Sequence, residues 1–362
     1  MSYRPLISIG IVGCGRVAQH YKNFLGRGNV TNYRIGAVCD TDQEKAVSLG
    51  AELDAACFFS LEEMLQHAHL DLVLVLTPSG LHYSHSKAIL SSGIGVLVEK
   101  PAAMFPTEID ELAALAKSKG IMYSIVFQNR LNPAMVALKD AVDKGRFGKI
   151  VTVSVRLKWC RYDDYYRDGW HGTWEQDGGV LNQQGIHHID AMNWVFGPVS
   201  RVVANAAKMV NNLEAEDTIT ALVEFSNGSF GTIEMTTAAR PRDFEASISV
   251  VGSGGSAKIG GIALNKIEEW EFVDSQPNDE DVPSKFSEDV ETGYGNSHGP
   301  LLQSVIDIMC VDSFSPPFSA DFSISTSELV HAIYASHELK SWVELSSKPI
   351  STRLGAKTKF EV

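Results

Sequence analysis

The chain has 362 residues, enough for two domains with separate cores, and its 44% hydrophobic and 21% charged content is ordinary for a globular protein. A net charge of −13 argues against nucleic acid or an anionic membrane surface as partner, though not against one local basic pocket. No apolar run approaches the roughly 20 residues of a membrane span. Met1-Ser-Tyr-Arg-Pro5 carries no signal-peptide pattern, and the five cysteines (Cys14, Cys39, Cys57, Cys160, Cys310) are scattered with no Cys-x-x-Cys; both features predict a reducing, cytoplasmic location.

Ile9 to Val12 reads as a buried parallel strand, followed by Gly13-Cys-Gly15-Arg-Val-Ala18, the G-x-G-x-x-A form of the dinucleotide fingerprint. Gly13 permits the tight turn, Gly15 lets backbone approach a pyrophosphate, and Ala18 lets the next helix (about 16–27) sit close to the strand. Cys14 in that loop reads as a small apolar residue. The second strand, Tyr33 to Asp40, ends in an acid placed for the adenosine ribose hydroxyls, which favours NAD over NADP.

Asp42–Leu49 is expected to be helical, and Ser60-Leu-Glu-Glu63 is a capping box opening another helix. Asp71–Thr77 is a continuous apolar strand of the kind buried on both faces, and Thr77-Pro-Ser-Gly80 turns into a helix over Leu81–Leu90. Ile94–Glu99 is the next strand, Thr107–Lys119 a helix closed by Gly120, and Ile121–Phe127 a strand. Asn132-Pro133 reads as an N-cap followed by proline at the first helical position. This alternation predicts an α/β Rossmann domain with a doubly wound parallel sheet over residues 1–128.

The texture changes near residue 149. Lys149–Trp159 alternates as a half-covered strand does, with further strands expected over 201–208, 217–225, 229–237, 246–251 and 267–272. Asn227-Gly228 is a hairpin turn, and Gly252-Ser-Gly-Gly255 joins strand to strand, so it reads as a turn rather than a phosphate loop. The acidic stretch 273–296 is expected to be an extended solvated loop, followed by helices over 299–309 and 323–340. Residues 129–362 therefore read as a second, α+β domain.

Two constellations carry chemistry. Glu99-Lys100-Pro101 ends a strand of the parallel sheet, where open α/β sheets place ligands. A lysine there can reach the nicotinamide face, hydrogen-bond a substrate hydroxyl and stabilise developing alkoxide character; the lesser alternative, taken alone, is a surface lysine at a strand end. Proline restricts Lys100 to extended backbone, and a trans peptide is expected. The second is Gly178-Gly-Val-Leu-Asn-Gln-Gln-Gly-Ile-His-His-Ile-Asp190, in which His187, Asp190 and Trp194 share one helix face. Histidine suits proton transfer near neutral pH, although a helical histidine beside tryptophan is as often a packing residue. His187 with Asp190 or His171 has metal-ligand residue types but no ligand motif, so no metal is expected.

Together these motifs, with Gly148-Lys-Ile150 opening the second domain, resemble the glucose–fructose oxidoreductase/inositol dehydrogenase (Gfo/Idh/MocA) family over nearly the whole chain. The resemblance implies Lys100 and His187 as catalytic residues, and a second domain whose open, mostly antiparallel sheet has helices on one face. The other face is commonly buried against another subunit, hence a homodimer or homotetramer. The implied cofactor set is Gly13, Gly15, Arg16, Val17, Ala18, Asp40, Thr77, Pro78, His82, Glu99 and Lys100. Many members carry an aspartate four residues before the histidine; here Gln183 stands there, and it can orient groups but cannot accept a proton.

Trp170-His-Gly-Thr-Trp-Glu-Gln-Asp-Gly-Gly179, Asn182-Gln-Gln-Gly-Ile-His187, Asn132-Pro133 and Gly293-Tyr-Gly-Asn-Ser-His298 resemble the branch containing bacterial UDP-N-acetylglucosaminuronate 3-dehydrogenases. The expected substrate is thus a sugar or nucleotide sugar, positioned by Gln183, Asn182 and Arg161. Arg130, Lys158 and Arg167 are further cations available for a carboxylate or diphosphate, and Tyr162, Tyr165 and Tyr166 for stacking. The rivals are an inositol, free-sugar or diol dehydrogenase, a non-catalytic NAD-binding regulator on the same fold, and glycoside cleavage through an NAD redox cycle.

Overall fold

A computed structural model describes residues 6–357 except 27 and 312, so the first five residues, the last five, and residue 27 at the end of the expected first helix lie outside the described residues. The chain divides into two compact units, Met1–Val126 with His298–Ile324, and Phe127–Ser297 with Ser325–Val362.

The first unit is built on six parallel strands in the order β3-β2-β1-β4-β5-β6. These are β1 (Ile7–Val12), β2 (Tyr33–Cys39), β3 (Ala56–Phe58), β4 (Leu72–Val75), β5 (Gly95–Val98) and β6 (Tyr123–Ile125). Every residue of β1, β4 and β5 is buried, which explains their unbroken apolar runs: a strand covered by helices on both faces has no polar side. The intervening helices are α1 (Arg16–Leu25), α2 (Gln43–Leu53), α3 (Leu61–His67), α4 (His82–Ser91) and α5 (Pro106–Lys119). The Ser60 hydroxyl accepts the Glu63 N–H at 3.2 Å, as the capping pattern predicts, and Gly120 ends α5 in the left-handed conformation.

The second unit carries α6 (Pro133–Asp143), β7 (Ile150–Lys158), α7 (Val180–Gln183), α8 (Ile186–Phe196), β8 (Val199–Ala207), β9 (Thr218–Phe225), β10 (Phe230–Thr236), β11 (Glu245–Gly252), β12 (Gly255–Gly260), β13 (Lys266–Phe272) and α9 (Val282–Phe286). Its eight-stranded sheet, completed by β14 (Val343–Glu344), runs β13-β12-β11-β7-β10-β9-β8-β14. All neighbours are antiparallel except β7 and β10. Alternation along β9 buries Ile219, Ala221, Val223 and Phe225 on one face and leaves Thr220 and Leu222 exposed on the other. Phe230 and Val251 are exposed on that second face too, but beside Thr232, Arg156 and Glu234, so it mixes apolar and charged side chains.

Three sequence expectations are corrected. Residues 298–309 form α10 (His298–Met309), but this helix belongs to the first unit and not to the second domain: Gly299 packs beside Phe24 and Val30, and Gln303 accepts the Thr31 N–H at 2.7 Å. The last long helix, α11 (Ala320–Leu339), starts in that unit and ends in the other. The acidic stretch after residue 273 is not simply solvated, because it contains α9 and a buried Asp279 paired twice with Arg146, at 2.6 and 2.8 Å. The Arg146 hydrogen bonds, against the opposing effect of burial, lower the Asp279 carboxyl to about 2. Asn132 does not cap α6 with its side chain; it donates to the Ala263 carbonyl at 2.7 Å and accepts from the Ser297 hydroxyl at 2.7 Å, while Pro133 opens the helix as expected.

Candidate active site

The candidate residues fall into two groups, one in each unit, and each group is described by itself. In the first, β1 runs into Gly13 at φ +91°, where a Cβ would stand 2.6 Å from the Leu76 carbonyl oxygen, so only glycine fits. Gly15 is the opposite case. Nothing lies within 4 Å of its would-be Cβ, and as N-cap of α1 it offers no side-chain acceptor to the first N–H groups of that helix. An anion can therefore approach them closely. Arg16 is exposed, Val17 half-buried and Ala18 fully buried under α1, in accord with their places in the fingerprint.

Asp40 follows β2, half-buried, and accepts the Cys14 N–H at 2.7 Å and the Asp42 N–H at 2.9 Å. It thus ties the fingerprint loop to the end of β2, and each oxygen keeps further lone pairs for a ribose hydroxyl. Burial, helped by the Asp40 charge, raises the Cys14 thiol to about 12, so this cysteine is an inert wall residue.

Thr77 and Pro78 follow β4, half-buried. His82, expected to bind cofactor, is 1% exposed, with Nδ1 2.6 Å from the Pro101 carbonyl and Nε2 2.7 Å from that of Thr77. Both ring nitrogens are committed to backbone, so His82 braces two loops. Burial keeps its pKa below the usual histidine value.

Glu99 follows β5 and is buried, whereas Lys100 is half-buried; the Lys100–Pro101 peptide is cis, not trans as expected. One Glu99 oxygen lies 3.4 Å from the Tyr21 hydroxyl and 3.6 Å from Nε2 of His298, and the other accepts the Lys100 N–H at 3.3 Å. Burial alone would raise this carboxyl, but His298, then Lys100 and His82, outweigh it and hold it below the ordinary value. His298 was not among the expected site residues; Gly293–His298 served only as a marker of likeness, and nothing local shows which strand end that histidine meets.

Open space at Gly15, an acid after β2 and an ionised Glu99 beside Lys100 across the point where strand order reverses suit a dinucleotide. Bound there, NAD supplies the hydride acceptor; the residues named here would hold its phosphates, ribose and nicotinamide end.

In the second unit, the Gly178–His187 segment lies tight against its neighbours. A Cβ on Gly179 would stand 2.1 Å from the Glu216 carbonyl oxygen, and one on Gly185 2.3 Å from the Met235 sulfur. The Glu216 carboxylate accepts from the Leu181 N–H at 3.1 Å and the Tyr334 hydroxyl at 2.8 Å, and burial raises it to about 7. Asn182, expected to bind substrate, is buried and donates its amide to the Asp177 carbonyl at 2.7 Å; Gln183 is buried too.

The adjacent histidines diverge. His188 is buried edge-on to Trp159, and burial lowers it to about 4, so it is a neutral packing residue. His187 is half-buried and meets the Phe127 ring edge-on at 6.3 Å. On the same face Asp190 takes two hydrogen bonds from Arg130, from Nε at 2.8 Å and from Nη2 at 2.5 Å, and Trp194 lies 5.7 Å from that guanidinium. Burial pushes the Asp190 carboxyl up, against the pull of Arg130 and the Thr326 hydroxyl. Arg130 is thereby corrected from a candidate anion binder to the buried anchor of α8, the helix that carries His187.

Arg161 stands over the Trp159 and Tyr165 rings, with Nη1 2.7 Å from the Cys160 carbonyl and 3.3 Å from Asp243. Lys158 pairs with Glu234 at 3.0 Å, and Tyr162 is covered by the Arg240 guanidinium. No group of three or more His, Cys, Asp or Glu suited to a metal ion occurs among the described residues. His171 instead pairs with Asp168 at 2.5 Å.

Residues 7–127 match the family model described as oxidoreductase family, NAD-binding Rossmann fold, and residues 135–258 match the GFO/IDH/MocA C-terminal domain. The WlbA dehydrogenase of Chromobacterium violaceum, solved with NADH and UDP-GlcNAcA, is 32% identical with a TM-score of 0.87, covering 95% of this chain and 97% of that one. The Bordetella pertussis WlbA dehydrogenase, solved with the same two ligands, is 30% identical with a TM-score of 0.87 over 95% and 99%. Among curated proteins, D-glucoside 3-dehydrogenase of Escherichia coli is 28% identical over 67% of this chain and 73% of its own. The scyllo-inositol 2-dehydrogenase (NADP(+)) IolW of Bacillus subtilis is 31% identical, but over only 45% of each chain.

Proposed function

The chain belongs to the GFO/IDH/MocA family of NAD-binding oxidoreductases, and we propose that it oxidises a secondary hydroxyl of a nucleotide-linked sugar, such as UDP-N-acetylglucosaminuronate at C3. The observation that carries this reading is the full-length likeness, at 30% identity or above, to two dehydrogenases solved with NADH and UDP-GlcNAcA. A second reading, a free-sugar or polyol dehydrogenase, is favoured by the curated glucoside and inositol relatives.

Oxidation of an alcohol removes a hydride from carbon and a proton from oxygen. Lys100, beside the ionised Glu99, donates a hydrogen bond to the reacting hydroxyl and stabilises the charge that grows on it. His187, on a helix fixed by a buried ion pair, is the group suited to take the proton near neutral pH. Gln183 cannot store charge, so it orients; Asn182, with its amide engaged, can offer only its carbonyl oxygen. Arg161 keeps guanidinium donors beyond its Asp243 contact for an anionic handle on the substrate. The open sheet face that carries Leu222 and Phe230 among charged and hydroxyl side chains is read as the contact of a homodimer or homotetramer. The scattered cysteines, with no Cys-x-x-Cys, suit a reducing compartment, and we place the reaction in the cytoplasm on that ground.

The test is absorbance at 340 nm with NAD and UDP-N-acetylglucosaminuronate, UDP-N-acetylglucosamine, myo-inositol or glucose, each with and without 2-oxoglutarate. Signal with the UDP-uronate alone, or ketone product formed only with the 2-oxo acid, is the expected result. Signal with inositol or glucose would replace it by the second reading, and silence throughout would remove both substrate assignments.

A further inference from the structure

Behind Glu99 in the first unit lies a pair of histidines that the chemistry above does not use. Glu99 stands at the end of β5, in the β4–β6 half of a sheet whose other half ends in the ribose acid Asp40. Its oxygen lies 3.6 Å from Nε2 of His298, and Nδ1 of that buried ring lies 3.3 Å from Nε2 of His20. His20 is half-buried on α1, so the run leads from a buried carboxylate toward the surface within one unit. Tyr21 and Phe24 of α1 pack against the His298 ring and shield the pair from solvent.

Charge at Glu99 matters because the two forms of the cofactor differ in charge at the nicotinamide ring: the oxidised ring is cationic and the reduced ring neutral. A buried carboxylate stabilises the oxidised form selectively, and any positive charge taken up beside that carboxylate cancels the preference. We propose that the His298–His20 pair, by gaining or losing a proton against Glu99, sets the pocket's preference for NAD over NADH. This specificity role rests on NAD as cofactor and is independent of which sugar is oxidised, so failure of the sugar assignment leaves it standing.

The other groups facing Glu99 are Lys100 beside it, Tyr21 on α1 and His82 on α4. Burial and then Glu99 push the Tyr21 phenol well above its usual value, so it remains a neutral donor at any working pH. Lysine is cationic across the same range. His82 is the competing imidazole: burial lowers its pKa, while the Thr77 and Pro101 carbonyls at its two nitrogens pull the other way, because only the doubly protonated ring can donate to both.

The experiment measures dissociation constants of NADH by its fluorescence and of NAD by competition, from pH 5.5 to 8, with no sugar present. In the wild type the ratio Kd(NADH)/Kd(NAD) is expected to rise about tenfold with pH, as imidazoles lose their charge. His298→Gln keeps a donor for Glu99 but cannot titrate, so its ratio should stay high and flat. Glu99→Gln should lower the ratio about tenfold at pH 8. Thermal unfolding of each variant guards against misfolding. A wild-type ratio that does not change with pH, or a slope that survives in His298→Gln and so belongs to His82 or Lys100, overturns the proposal.

Discussion

The Arg130–Asp190 pair bears the sharpest prediction, because it lies far from solvent and holds the helix that carries His187. Both side chains are at most 1% exposed, and the carboxylate takes two guanidinium hydrogen bonds at 2.8 and 2.5 Å with the Thr326 hydroxyl at 3.2 Å. Asp190→Asn preserves shape but leaves a buried guanidinium uncompensated and turns an amide N–H₂ toward it. Breaking such a pair costs about 3–5 kcal/mol. At about 2–4 °C per kcal/mol for a unit of this size, the melting temperature should fall by about 10 °C. The assay is thermal and urea unfolding followed by tryptophan fluorescence, with a double variant, Arg130→Met with Asp190→Leu, as control. Removing both charges abolishes the uncompensated ion, so the double variant should regain most of the loss. A single variant within about 1 kcal/mol of wild type, or a double variant no better than the single, would refute the reasoning.

Lys100→Met should lower turnover by about 10²-fold or more while NADH still binds, because in the proposed reaction its amine acts on the reacting hydroxyl and not on the phosphates; retained turnover would remove it from the mechanism. Asp40→Ala should weaken NAD about tenfold and relax the discrimination against NADP, through loss of ribose acceptors and of the Cys14 N–H contact; an unchanged preference would place the ribose contact elsewhere. Glu216 has a folded pKa of about 7 against an ordinary 4.5, so the folded state binds the extra proton. The stability this lends is full below about pH 4.5 and is lost as pH rises through 7, about 3 kcal/mol in all. Glu216→Gln, which keeps an acceptor for Leu181 and Tyr334, should therefore lose less stability than wild type between pH 5 and 8. A difference between the two proteins that does not vary with pH would contradict the raised pKa.

What the sequence could show depended on how local each signal was. The fingerprint turn, the Ser60 cap and the Asn227-Gly228 hairpin rest on contacts a few residues apart, and each stands where expected. The alternation in β7 and the unbroken run in β4 report how many faces of a strand are covered, and they separated the two sheets correctly. The errors are long-range. Arg130 meets Asp190 from 60 residues away and Arg146 meets Asp279 from 133 away, so a charge that looks available, or merely solvated, is in fact spent. His82 misled for a related reason: the cofactor loops pass close by, but its nitrogens face their carbonyls. Composition registers a charged residue; only the fold shows whether that charge is already matched.

The return of α10 to the first unit gives the chain an order of assembly. The cofactor-binding half is discontinuous in sequence, and its last segment ends at Ile324 of a 362-residue chain. A ribosome must therefore have made the chain through Ile324 before that half can close, whereas its six strands are complete by Ile125. Until then the side of α1 near Phe24 and Val30 lacks its cover, and a fragment cut after residue 128 would keep it bare for good. Such a fragment, although it contains the entire glycine fingerprint, would be a sticky and incomplete binder of its own cofactor.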